Sequence, residues 1–320
     1  MSQAPNIDGV LIQWGDRLFY PDNRIVKTGP PPKLGLSGAR QRAAAIRERI
    51  EATVVRRAPQ VMVKVTGGGR GMRAIAAHFR YISKNGRLDI EDERGETMRG
   101  KDALPELAAD WRFGGTLIDD VGDRREAFNI MLSMPRGTDP LIVQKAAREF
   151  AQIELADHKY VMVLHDHQAN PHVHISVRAE SKRGKRLNPR KADLQRWRET
   201  FAEKLRGWGV EAEATRQATR GRSRNHDPLW RIKAREDGRL RTSRSSSVPS
   251  EPAPARVEAF EAWMHIGRAL AASGEKADHD LEKAIRVFIR EMPPPLRSAE
   301  AGRLIKSKTI ATSRDIDLGR

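Results

Sequence analysis

The 320-residue chain has no cysteine, only three tyrosines and 5% aromatic residues. Without thiols, a disulfide scaffold, a zinc-thiolate fold and a cysteine nucleophile are excluded. No run of 18 apolar residues occurs, and the opening MSQAPNIDGV lacks the basic-then-apolar order of a secretory signal. The expectation is therefore a soluble cytoplasmic protein with no membrane insertion. A nucleotide-binding P-loop is missing too, because GGGRG at 67–71 is not followed by Lys-Ser or Lys-Thr. These glycines are read as a tight strand-to-helix turn, and neither an ATPase nor a GTPase is expected.

Positive charge is abundant. The chain carries 59 Lys+Arg against 42 Asp+Glu, a net +17, which points to a polyanionic partner. Residues 178–244 hold 21 Lys+Arg against 9 Asp+Glu, so one segment supplies +12 of that surplus. Within it, Lys182, Arg183, Lys185 and Arg186 are candidate phosphate contacts whose affinity falls with salt. For a charge run alone, a solvated basic face is the simpler reading.

Hydrophobic periodicity separates four regions. Residues 1–58 read as an N-terminal extension: an apolar piece near Trp14 to Tyr20, the linker GPPPKLGLSG and a basic helical pattern. From 59 to 222 the pattern is α/β (α+β). The strand VMVKVT precedes a helix with Met72, Ile75, Phe79 and Ile82 on one face, stopped by Asn85-Gly86. After a variable charged stretch come FNIMLS at 128–133 and a helix from 140, where Asp139-Pro140 supplies the cap and first turn. YVMVLH at 160–165 and HVHISVR at 172–178 form a hairpin, and 194–209 a helix with Trp197, Phe201 and Leu205 together. Residues 223–255 have linker composition, and 256–320 read as a partly helical tail.

Nine histidines in the chain predict roughly 0.3 per ten residues by proportion, yet HDHQANPHVH holds His165, His167, His172 and His174. Side chains alternate along a strand, so His172 and His174 share a face, and a hairpin brings His165 onto it. Three imidazoles with open positions suit a divalent cation acting as a Lewis acid on phosphate. A structural zinc site, or histidines merely exposed in a turn, are the alternatives. A nucleophile is also needed. Tyr20 lies in the extension and Tyr160 in an apolar strand, which leaves Tyr81, in HFRYISKNG, between Arg80 and Lys84. A tyrosine beside an apolar helix face is otherwise a packing residue. Ser133 either contacts DNA backbone or finishes its strand.

The order VKVTGGGRG, HFRYISKNG, LSMPRGTDP and HDHQANPHVHISV resembles the conjugative relaxases of the HUH endonuclease superfamily, those of plasmid mobilisation and tumour-plasmid transfer, over about residues 60–222. The resemblance implies an antiparallel sheet flanked by helices, with the histidine strands central. It implies a bacterial, cytoplasmic, metal-dependent enzyme using Mg²⁺ or Mn²⁺, in which Tyr81 cuts one strand at a transfer origin and keeps a 5'-phosphotyrosyl link. His165, His172 and His174 would hold the metal and Ser133 would help hold DNA. Implied partners are single-stranded or melted origin DNA, relaxosome accessory proteins, a coupling protein and a type IV secretion system. Two departures stand out. The aspartate usual two places after the first histidine is His167 here, with Asp166 one place earlier, and Arg178 replaces an asparagine often found shortly after the H-x-H. Asp166 and His167 are thus the candidates for orienting a ligand imidazole. A rolling-circle replication initiator and a non-catalytic basic DNA-binding accessory protein are the competing readings.

Overall fold

The structure, a computed structural model, describes residues 6–20, 36–221, 237 and 254–292. They fall into two compact units, Ala58–Ala214 and the remainder on either side of it.

The central unit is built on alternation. Strands β1 (Met62–Gly67), β2 (Ile90–Asp92), β3 (Thr97–Met98), β4 (Ala127–Ser133), β5 (His158–His165) and β6 (His172–Ser181) form one sheet in the order β1-β4-β6-β5-β2-β3. Every pairing between these strands is antiparallel. One face of β4, β5 and β6 carries Ile130, Leu132, Met162, Val173, Ile175 and Val177. It is covered by α5 (Pro140–Glu154) and α6 (Lys191–Gly207) through Val143, Phe150, Trp197, Phe201 and Leu205. Burying a side chain such as Phe150 contributes about 1.5–3 kcal/mol, so this layer is the larger store of stability. Helix α5 begins as the sequence indicates, with Pro140 in the first turn and the Asp139 carboxylate accepting from the Leu141 N–H at 2.8 Å.

The opposite face of the sheet is covered over only part of its length. Helices α3 (Met72–Ile82) and α4 (Ala103–Phe113) pack Ile75, Phe79, Ile82, Leu107 and Trp111 onto Val161 and Val163. Where α3 ends, the histidine end of β5 and β6 opens to the surface. The glycine run is a turn, as read: Gly71 caps α3 at φ +124°, and a Cβ there would meet the Asp120 carbonyl oxygen at 2.6 Å.

Strands β2 and β3 and helix α4 occupy the stretch that the sequence pattern leaves without elements. Ile90 is the one wholly apolar residue of β2, so no strand period stands out there, whereas Leu104, Leu107 and Trp111 in α4 do stand at the i, i+3, i+7 spacing of a helix, a signal the sequence reading passed over.

The outer unit brings the two flanks of the chain together. Helices α1 (Ile7–Phe19), α2 (Leu36–Val54), α7 (Pro254–Ala271) and α8 (Lys276–Glu291) share one core containing Leu11, Leu18, Phe19, Ile46, Ile50, Trp263, Ile266, Leu270, Ile285 and Phe288. The sequence reading separates residues 1–58 from 256–320. The two helices of each segment pack on each other, and contacts of α1 with α7 and of α2 with α8 join the segments into that one core. Arg47 joins them in charge, reaching Asp8 at 2.9 Å and Asp278 at 2.8 Å. The polar segment 223–255, apart from residues 237, 254 and 255, and the chain beyond 292 lie outside the described residues.

Candidate functional site

The hairpin register assembles the histidines. His165 pairs with His172 and Val163 with His174, so the three rings stand on the face that α3 leaves open. Their ring centroids are 4.6–5.0 Å apart and all three are buried. One ring nitrogen from each lies within 4.8 Å of the others.

A carbonyl oxygen only accepts hydrogen bonds, which identifies the protonated nitrogen in two of the rings. His165 donates from Nε2 to the Ile82 carbonyl at 2.7 Å, and His172 from Nδ1 to the Asn170 carbonyl at 3.0 Å. The other nitrogen of each ring keeps its lone pair. His174 Nδ1 is buried without a hydrogen-bond partner. Burial, reinforced by the neighbouring histidines, pushes His174 down to about 3. Burial also lowers His165, against the bond to Ile82. Neutral imidazoles tied at one nitrogen by backbone carbonyls are suited to hold a divalent cation.

Tyr81 stands over this cluster. It is 69% exposed, and its ring centroid is 6.2 Å from that of His174. The other tyrosines are placed as packing residues. Tyr160 is buried in the α5/α6 core, where desolvation and then the nearby Glu91 charge push its phenol up to about 12. Tyr20 packs in the helical unit beneath Arg42, 4.1 Å from its ring.

An open cavity of about 700 Å³ joins Tyr81 to His165, His172 and His174, with Arg80, Lys84 and Arg87 on its rim. Lys84 and Asn85 have φ of +52° and +58°, an unusual conformation for residues with side chains, and Gly86 completes the turn. Sequence reading missed Arg87, directly after that turn. It also missed His78, one helical turn before Tyr81, whose ring stacks with Tyr81 at 6.0 Å and meets His174 edge-on at 6.4 Å. The 3.6-residue period placing His78 beside Tyr81 is the signal that finds it. Burial pushes His78 down to about 4.

The other sequence candidates lie elsewhere or act differently. Ser133 is buried, and its hydroxyl is within reach of the Met134 and Pro171 carbonyls at 3.4 and 3.3 Å, so it ties the end of β4 to the turn before His172. It is not on the cavity wall. His167 lines the cavity, 5.1 Å from the His165 ring, whereas Asp166 is exposed and hydrogen-bonded to none of the three cluster histidines. Lys182, Arg183, Lys185 and Arg186 follow the far end of β6, about 30 Å along the strand from His172 at 3.3 Å per residue. The strand therefore does not bring them to the histidines. Arg186 is engaged by Glu126 and Glu180 at 3.3 and 3.6 Å, and Arg183 by Asp157 at 3.5 Å. Arg178 is buried, and its guanidinium donates to the Trp111 and Thr116 carbonyls, anchoring the segment after α4 to the sheet. It fills a structural place, away from the histidines.

Histidine-bearing central strands and a tyrosine helix meet at the open face of the sheet, and the chain is similar to known proteins over this part of its length. Residues 81–210 match the family model for the MobA/VirD2-like relaxase, nuclease domain. The chain is also similar to the T-DNA border endonuclease VirD2 of Rhizobium radiobacter, with 25% identity over 183 residues, 51% of this chain and 43% of the relative. The protein of the same name from Agrobacterium fabrum is 24% identical over 183 residues, 51% of this chain and 41% of the relative. The chain thus spans about two fifths of the length of these curated relatives. No helix among the described residues is long and apolar enough to cross a membrane.

Proposed function

We propose that this chain is a tyrosine transesterase that nicks one DNA strand at a transfer origin and begins conjugative transfer of the element that carries it. The observation that carries the reading is the meeting of an exposed Tyr81 with three buried histidines in a cavity rimmed by cations. The Tyr81 oxygen attacks the scissile phosphorus, forming a phosphotyrosyl bond to the 5' side while the bond to the 3' oxygen breaks. The phenol proton passes to solvent and the departing 3' oxygen takes one up. Arg80, Lys84 and Arg87 hold the phosphate by charge, and Tyr160, buried in the α5/α6 core away from the cavity, takes no part in the reaction. A divalent cation, Mg²⁺ or Mn²⁺, held by His165, His172 and His174 would supply Lewis-acid polarisation of the phosphate. The carbonyls of Ile82 and Asn170 keep the ligand rings of His165 and His172 in place, His167 flanks the His165 ring at 5.1 Å, and Asp166 bonds to none of them.

The same reaction run backwards, with a 3'-hydroxyl attacking the phosphotyrosine, rejoins the strand, so no external energy source is required. On this reading the partners are single-stranded or melted origin DNA, accessory proteins that expose it, and a coupling protein leading to a type IV secretion system.

The test incubates labelled single-stranded origin oligonucleotides with the full chain and Mn²⁺ or Mg²⁺, with and without EDTA. A denaturation-resistant protein-DNA adduct is expected, absent in Tyr81→Phe and in EDTA, while Tyr81→Phe binds DNA within a few-fold of wild type. No adduct despite tight, salt-sensitive binding would favour a non-catalytic accessory protein. An adduct at a replication origin in place of a transfer origin would favour a rolling-circle initiator.

A further inference from the structure

The cavity at the histidine cluster continues past Tyr81. Arg80, Asn85 and Arg87 on its rim also line a second cavity of about 490 Å³ between α3 and α4. That cavity shares Ala76, Pro105 and Ala108 with a third, of about 460 Å³, which reaches Phe113. Shared walls make the three one trench running along α3, whose 11 residues span about 16 Å.

Cations recur along the trench. Ala76 and Ala108 leave its floor low. Arg73, Arg87 and Lys101 are exposed on its rim, and none forms an ion pair among the described residues. Arg112 is the exception, because Asp120 neutralises it. At the far end Phe113 presents a ring that is 69% exposed. Cations along a groove with an exposed aromatic platform suit a single nucleic-acid strand, whose phosphates meet the charges and whose bases stack.

We propose that the α3/α4 trench is the track for the DNA strand flanking the scissile phosphate, with Arg73, Arg87 and Lys101 on phosphates and Phe113 stacked on a base. This rests on the reading of the Tyr81 cavity as the nicking site, from which the trench leads away.

The test measures binding of fluorescent oligo-dT of 20 nucleotides to the full chain by anisotropy across a salt series, beside the adduct assay on origin DNA. The variants are Phe113→Ala and the double Arg73→Ala/Lys101→Ala, all at exposed positions outside the reacting centre. Loss of a stacked base predicts a fall in affinity of about five-fold or more for Phe113→Ala. Loss of two phosphate contacts predicts a log-affinity against log-salt slope shallower by about 1.4, at 0.7 per contact. Unchanged affinity and slope in both variants overturn the track, whether or not Tyr81 forms an adduct. An equal loss for a 20-base-pair duplex overturns it as well, because the surface is then a general basic patch. A changed slope with no adduct at Tyr81 upholds the track as a strand-binding surface while sinking the nicking reading.

Discussion

His165 donates its Nε2 proton to the carbonyl oxygen of Ile82 at 2.7 Å, so the histidine cluster is bonded to the residue immediately after Tyr81. One imidazole thus holds the end of the tyrosine helix with one nitrogen and keeps the other free. The contact that ties the Tyr81 helix to the cluster is made by a backbone carbonyl, not by the Ile82 side chain.

Replacing His174 by Ala should abolish high-affinity Mn²⁺ binding. Groups that only orient a ligand are worth about 10–100-fold in metal affinity, and removal of a ligand should exceed that. Isothermal titration with Mn²⁺ checks this, with circular dichroism to confirm folding. His158, at the other end of β5 and bonded to the Arg178 carbonyl at 2.9 Å, is the control whose replacement should leave Mn²⁺ affinity unchanged.

Gly86→Ala should destabilise the central unit by about 2 kcal/mol or more, since the site has φ +79° and a Cβ would lie 2.3 Å from the Gly100 carbonyl oxygen. The backbone on both sides is held, by the Gly86 N–H donating to the Ser83 hydroxyl oxygen at 2.9 Å and by the Gly100 N–H donating to the Gly86 carbonyl at 2.9 Å. Chemical denaturation of wild type and variant measures the difference. A variant as stable as wild type would show that this turn yields freely.

The helical unit should lose stability in acid through Asp278. Burial pushes this carboxyl up, but the hydrogen bonds from Arg47 and Ser273 outweigh burial and hold it below the ordinary range. A carboxyl depressed in the folded state stabilises fully above its unfolded pKa of about 3.9 and loses that contribution as pH falls through the folded value. Melting curves from pH 7 to pH 3 should therefore show an acid-sensitive component that Asp278→Asn removes. The same variant should lose about 1–3 kcal/mol at pH 7, because Arg47 keeps Asp8 as a partner.

Where periodicity was strong the sequence was a good guide. The alternation in YVMVLH and HVHISVR predicts both strands and the shared face of His165, His172 and His174, and the register agrees. Asp139-Pro140 predicts the start of α5 with its cap. Charge was a poorer guide to position. Lys182 to Arg186 follow the histidines closely in sequence, but an extended strand carries residues away at about 3.3 Å each, and the cations around Tyr81 come from α3 and the turn after it. Arg87 was invisible because one arginine behind Asn-Gly has no period to reveal it. The union of the flanks was invisible for a related reason: an amphipathic stripe records that a helix needs a partner and says nothing of which partner.

The shared core of α1, α2, α7 and α8 has a consequence for synthesis. Leu11 and Trp263 belong to one cluster yet are 252 positions apart, and a ribosome adding about 5–20 residues per second needs roughly 13–50 s to cover that interval. The central unit is complete by Ala214 and can fold during it. The first two helices meanwhile lack the part of their core that the later helices supply, so the order of emergence favours a finished central unit before the flanks close.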